Sequence, residues 1–192
     1  MKVKRWSRTD QVFLEGLLYA APSLVLLAVW VRVFHAVRGD ALEVTGPLPD
    51  ALAPPVEGVV GPLSGTLTVQ DPGAHVYAWD LLPLLLALAV TTAAAVLLLG
   101  VARGLRQGDP FTTANARRLT SLAVLVLVGG FAVQAFHSIA QDVLLSAALP
   151  GQDRTSVFEM SFCYVPAGAL VFFRAEVFAR GARLREDLEG LV

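Results

Sequence analysis

Leu81-Leu-Pro-Leu-Leu-Leu-Ala-Leu-Ala-Val-Thr-Thr-Ala-Ala-Ala-Val-Leu-Leu-Leu-Gly-Val-Ala102 carries no charged side chain over 22 residues. The hydrocarbon core of a bilayer is ~30 Å thick and a helix rises ~1.5 Å per residue, so about 20 such residues cross it. Backbone polar groups in lipid must be satisfied within their own element, and the stretch lacks the polar-apolar alternation of a barrel strand. It is expected to form a transmembrane helix.

Three further stretches follow the same pattern. Leu119 to Gln141 is free of charge for 23 residues. Gly16 to Val31 is free for 16, and extends to Val12 and Phe34 with Glu15 and Arg32 near its ends. Thr155 to Phe173 holds one charge, Glu159, near its start. Pro22, Pro83 and Pro166 fall within or at the start of these spans, where they kink helices or begin them. A cleaved signal peptide is the competing reading of the N-terminus. Glu15 interrupts its apolar region, and Trp30, Arg32 and Phe34 stand where small cleavage-site residues are wanted.

The whole-chain composition agrees. Of 192 residues, 55% are hydrophobic and 16% charged, with a mean hydropathy of +0.62. Soluble domains carry about 25% charged residues, so a water-soluble globule is disfavoured. High hydrophobicity argues against disorder, the single Cys163 against a disulfide scaffold, and a net charge of -1 against direct nucleic-acid binding.

Orientation follows from the basic residues, which cytoplasmic loops retain. Lys2, Lys4, Arg5 and Arg8 precede the first span, Arg103, Arg106, Arg117 and Arg118 lie between the second and third, and Arg174, Arg180, Arg183 and Arg185 follow the fourth. These are 12 of the 15 basic residues, so both termini are expected in the cytoplasm. The fold expected is an all-α membrane protein, a four-transmembrane-helix bundle with a small extended, β-like extracytoplasmic loop between helices 1 and 2. In order, it has a basic tail (residues 1–11), a first span (12–34), an acidic Pro/Gly-rich outer loop (35–79) and a second span (80–102). A cytoplasmic loop (103–118), a third span (119–145), a short outer loop (146–156), a fourth span (157–174) and a cytoplasmic amphipathic helix (175–192) complete it.

The long outer loop sets Asp40, Glu43, Asp50, Glu57 and Asp71 against Arg38, and holds six of the 11 prolines. Leu42 to Thr45 and Gly65 to Val69 lean towards strand. A hairpin-like cap without its own core is expected.

Polar residues near the bilayer are few. Gln134, His137 and Gln141 recur at steps of three and four on one helix face. Counting from Leu119, His137 lies about 27 Å up and Gln134 about 22 Å up, near the outer boundary. Asp80, Asp142 and Glu159 stand at outer helix ends near Arg32. This set could form interhelical hydrogen bonds and headgroup contacts, a pocket for a cation, a proton or a small polar ligand, or a metal site. No His-x-x-x-His or Glu-x-x-His spacing supports a metal, and no cofactor is indicated. Glu15 is expected to pair with a basic residue of the inner face such as Arg118 or Arg174. Gly129-Gly130 and Ala93-Ala94-Ala95 allow close helix approach.

On the inner face, Gly108-Asp109-Pro110 signals a turn, and Thr112 or Thr113 can cap the helix that follows. In the last segment Val177, Leu184, Leu188 and Leu191 share one face. That face could lie on the membrane, pack under the bundle, or dock a cytosolic partner.

These two segments carry a resemblance. Gly108-Asp-Pro-Phe-Thr-Thr-Ala-Asn-Ala-Arg-Arg-Leu119 before a span, with Ala175-Glu-Val-Phe-Ala-Arg-Gly-Ala-Arg-Leu-Arg-Glu-Asp-Leu-Glu189 after one, resembles the small integral membrane proteins of the domain of unknown function 2975 family. Pro110, Phe111 and Asn115 match its loop pattern, and Glu176, Phe178, Gly181, Leu184 and Asp187 its tail pattern. The resemblance implies a bacterial plasma-membrane protein and, as a possible partner, a small helix-turn-helix regulator. It implies no activity.

A transporter is expected to show broken helices and polar groups at the midplane, and an intramembrane enzyme a nucleophile with its base or a metal set. The sequence displays neither. It therefore reads as a non-enzymatic regulatory or binding protein in the lipid bilayer. Its cytoplasmic contacts are expected from Pro110, Phe111, Asn115, Arg117, Arg118, Glu176, Phe178, Gly181, Leu184 and Asp187. The alternative is a small permease or channel subunit, working alone or as a homo-oligomer, with an outward pocket formed by Arg32, Asp80, Gln134, His137, Gln141, Asp142 and Glu159.

Overall fold

A computed structural model describes residues 8–47, 64–106, 111–151 and 161–189. Five α-helices and one two-stranded sheet account for most of them: α1 (Arg8–Arg38), β1 (Leu42–Pro47), β2 (Ser64–Val69), α2 (Ala74–Arg106), α3 (Thr113–Val124), α4 (Gly130–Ala148) and α5 (Tyr164–Glu189). A π-helical turn, Leu125–Gly129, joins α3 to α4 without a break.

Three helical stretches are long and apolar enough to cross a membrane: Val12–Arg38, Ala74–Arg106 and Thr113–Ala148. The first three expected spans lie within them, and three such helices point to a multi-pass membrane protein. Their side chains agree, since Phe13, Leu24, Trp30 and Val96 are each more than half exposed, as lipid-facing positions require. Pro22 and Pro83 sit inside continuous helices, while Pro166 falls in the first turn of α5. In α5 the apolar run from Tyr164 meets Arg174 after ten residues, about 15 Å of helix. The start of the expected fourth span, with Glu159, lies outside the described residues.

The chain forms two compact units, one from Met1–Leu27, Leu86–Ala132 and Ser161–Val192, the other from Ala28–Leu85 and Val133–Met160.

In the first unit α3 packs along α5. Small residues set the spacing. A Cβ on Gly129 would lie 2.9 Å from Val90, on Gly130 2.7 Å from Tyr164, and on Gly168 2.5 Å from Leu127. The glycines expected to permit close approach thus do so at the π-helical turn. Thr91 donates its hydroxyl to the Ala87 carbonyl at 2.7 Å, so this polar side chain of α2 is satisfied by its own helix. Glu15 pairs with a residue of the expected basic set, Arg106 of α2, whose Nη1 stands 3.4 Å away.

In the second unit α1 ends at a left-handed Gly39, φ +70°. The Gly39 amide donates to the Ala36 carbonyl and the Asp40 amide to the His35 carbonyl, the double closure of a Schellman motif. His35 Nδ1 bonds the Asp40 carboxylate at 2.7 Å, and the Tyr77 hydroxyl donates to the Asp40 carbonyl. The chain is thereby turned into an antiparallel hairpin running from Leu42↔Val69 to Pro47↔Ser64. Period-two alternation puts Leu42, Val44 and Val69 on one face, buried with Val76 of α2 and Leu144 of α4. The cap therefore uses helix side chains for its core. Beside it Trp30 stacks on Phe34 at 5.5 Å and Arg38 lies over the Phe34 ring at 4.2 Å, an amphipathic cluster suited to a membrane boundary.

Candidate functional site

Two sets of polar residues stand out, one in each unit. In the second unit, Arg32 projects from α1 and its Nη1 lies 3.5 Å from Asp80 Oδ2 of α2. The carboxylate is the more enclosed partner, with 12% of its side chain exposed against 42% for Arg32. His137 of α4 is close enough to act on it electrostatically. One turn further along α4, Gln141 Oε1 is buried without a hydrogen-bond partner, a state that costs about 1–3 kcal/mol. Gln134 is half-buried one turn before His137, and Asp142 is exposed. Arg32 and Asp80 thus pair across α1 and α2, within reach of the His137 charge. Glu159 lies outside the described residues. Among the described residues no three His, Cys, Asp or Glu side chains converge as a metal-binding group.

In the first unit some motif residues make contacts between helices, and others do not; Phe111 does so while still 42% exposed. Asn115 is fully buried beneath Gly104, where a Cβ would lie 2.2 Å from Asn115 Nδ2. Its backbone amide donates to Thr112 Oγ1, which caps α3. Arg118 Nη1 donates both to Asn115 Oδ1 at 3.0 Å and to the Gly100 carbonyl at 3.1 Å. An arginine of α3 thereby ties itself to the backbone of α2, adding a second donor to the Gly100 carbonyl six residues before that helix ends. Phe111 packs on Phe178 at 5.2 Å and lies under Gly181, whose added Cβ would meet the ring at 2.6 Å. Val101, Leu119 and Ala175 complete this cluster around Phe178. Phe111, Asn115, Phe178 and Gly181 thus hold α2, α3 and α5 together.

Arg117, Glu176, Leu184 and Asp187 are exposed, and Pro110 lies outside the described residues. Glu176 accepts a hydrogen bond from Arg180 Nε at 2.8 Å, and that bond with the arginine's charge holds its carboxyl below the usual glutamate range. Between α3 and α5, Arg117 and Arg183 line an open groove of about 440 Å³ with Thr113, Ser121, Ala179 and Ala182.

The sequence reading passed over Gly100 and Gly104. Their four-residue spacing at the end of an apolar helix is the signal for close helix approach, and it could have been recognised. The groove had a fainter mark, the small residues Ala116, Ala179 and Ala182 at helical spacing beside arginines.

A sequence profile of a protein family of unknown function (DUF2975) matches residues 63–192. No curated protein and no solved structure matches the chain.

Proposed function

The chain belongs to the DUF2975 protein family, and from that premise we propose that it is a non-enzymatic regulatory or binding protein of a bacterial plasma membrane. In this reading residues 157–174 form a fourth span, both termini lie in the cytoplasm, and the basic face presents α5 to a cytosolic protein such as a small helix-turn-helix regulator.

One arrangement carries the proposal. α5 turns Ala175, Phe178 and Ala182 inward, so Val177 and Leu184 remain 59% and 65% exposed. Val177 and Leu184 of the apolar stripe are therefore spare, on a helix braced against α3 and edged by Arg180 and Arg183. A stripe of this kind is how a helix docks in a groove.

Affinity capture of the intact protein from native membranes, beside a Val177→Asp/Leu184→Asp variant, tests the reading. A cytosolic protein recovered with the wild type and lost with the variant is the expected result. Recovery of none, or equal recovery with both, would defeat it.

A second reading, a small permease or channel subunit working alone or as a homo-oligomer, is favoured by the Arg32, Asp80 and His137 cluster and by the unpartnered Gln141 Oε1. It differs in requiring ion flux in proteoliposomes that falls at least about tenfold on His137→Ala, as loss of a group worth about 1.4 kcal/mol would produce.

A further inference from the structure

α3 and α5 do not close on one another everywhere. Ala116, Ala179 and Ala182 are too small to fill the space between the helices, and the resulting groove is walled at its polar end by Arg117 and Arg183. Among the described residues no carboxylate lines it. Glu176, which feels the charge of Arg183, is already held by Arg180 at 2.8 Å. The groove opens beside the first turn of α3, whose N-terminus adds positive partial charge. Thr120 donates its proton to the Ala116 carbonyl, which leaves Ser121 as the deeper hydroxyl donor.

Position along the helix selects among anions. Arg117 stands just before the charge-free run that starts at Leu119, whereas Thr120 and Ser121 stand inside it. A ligand seated here meets arginines at the polar end and small apolar and hydroxyl side chains towards the hydrocarbon. A free phosphate would use the first half alone; a phospholipid matches both.

We propose that the groove between α3 and α5 binds the phosphate headgroup of an anionic phospholipid, with Arg117 and Arg183 as the cationic ligands and the lipid body running past Ser121. Arginine suits this role because its planar fork pairs with two phosphate oxygens at once. The proposal rests on the α3–α5 packing and the membrane reading. It does not depend on a cytosolic partner.

Native mass spectrometry of the full chain in detergent, titrated with phosphatidylglycerol or phosphatidylcholine, reads the site directly. Phosphatidylglycerol is expected to be retained preferentially. At about 1 kcal/mol per basic residue, Arg117→Gln or Arg183→Gln should weaken it about fivefold, and the pair about 25-fold. Ala179→Phe keeps both charges but fills the groove, and should also weaken binding. Arg103→Gln removes an exposed arginine outside the groove and should change affinity by less than about twofold. If the glutamine pair does not fold, the Arg117→Lys/Arg183→Lys and Ala179→Phe variants decide. Lysine is expected to retain part of the affinity and phenylalanine to lose it. Equal binding of the two lipids, an equal loss on Arg103→Gln, or no effect of Ala179→Phe would overturn the proposal. Displacement of the lipid by millimolar inorganic phosphate would overturn it in favour of a soluble anion.

Discussion

Gly104→Ala is expected to destabilise the protein by about 3 kcal/mol, although helix propensity alone would favour alanine by about 1 kcal/mol. The reversal comes from one contact. A methyl group at position 104 would lie 2.2 Å from the Asn115 amide nitrogen, and Asn115 is fully buried. The amide must then move, which disturbs its bond from Arg118 and, through that arginine, the link to the Gly100 carbonyl. Thermal unfolding of the purified protein in detergent, followed by helical circular dichroism, measures the change. Asn115→Ala, combined with Gly104→Ala, removes the obstruction. The alanine at position 104 should then cost about 1–3 kcal/mol less than in the wild-type background. An unchanged melting temperature for Gly104→Ala, or strict additivity of the two, would rule out the close approach.

Leu144→Ala should have a comparable effect in the other unit, about 3 kcal/mol, because the side chain is 4% exposed and shares its core with Leu42, Val44, Val69 and Val76. The loss should show in the strands first. An isolated two-stranded hairpin is at best marginally stable in water, so β1 and β2 depend on the helix side chains beneath them. Amides of Leu42–Gly46 and Ser64–Val69 are expected to exchange about 100-fold faster in the variant if its full cost falls on their local opening. Gly46 sharpens the point, since an added Cβ there would lie 2.7 Å from Leu145. Exchange that stays at the wild-type rate would mean that the hairpin stands by itself.

Much of this arrangement is legible in the residues. Charge-free runs announce α1, α2 and the continuous α3–α4 helix, because excluding charge from lipid acts residue by residue and needs no knowledge of neighbours. The strand pair is legible too, as β-leaning stretches between prolines and glycines. Arg32, Asp80 and His137 could be grouped by counting helical rise from the membrane boundary. That count gives depth, and depth narrows the choice of partners.

Other features resisted reading because they depend on which helix faces which. The motif residues Phe111, Asn115, Phe178 and Gly181 look in sequence like a surface for a partner, and in the structure Phe111 also packs against Phe178 and Gly181 and Asn115 against Gly104. Conversely, Val177 and Leu184 look like a face that could pack under the bundle, and they remain exposed. An amphipathic pattern identifies an apolar stripe, but not what covers it. α5 also has the inward set Ala175, Phe178 and Ala182, less conspicuous because two of its members are alanines. The π-helical turn belongs here as well. Nothing in Leu125–Gly129 requires it locally, and it occurs where Gly129 and Gly130 admit Val90 and Tyr164.

By itself, then, the amino-acid sequence determined where the chain can enter a membrane and where it must stay in water, since these are sums over side-chain solvation. Only the tertiary structure decided which polar groups satisfy one another and where two helices fail to close. Hydrogen bonds and packing are short-ranged, and a glycine or an alanine acquires its meaning from the side chain of another helix that reaches it.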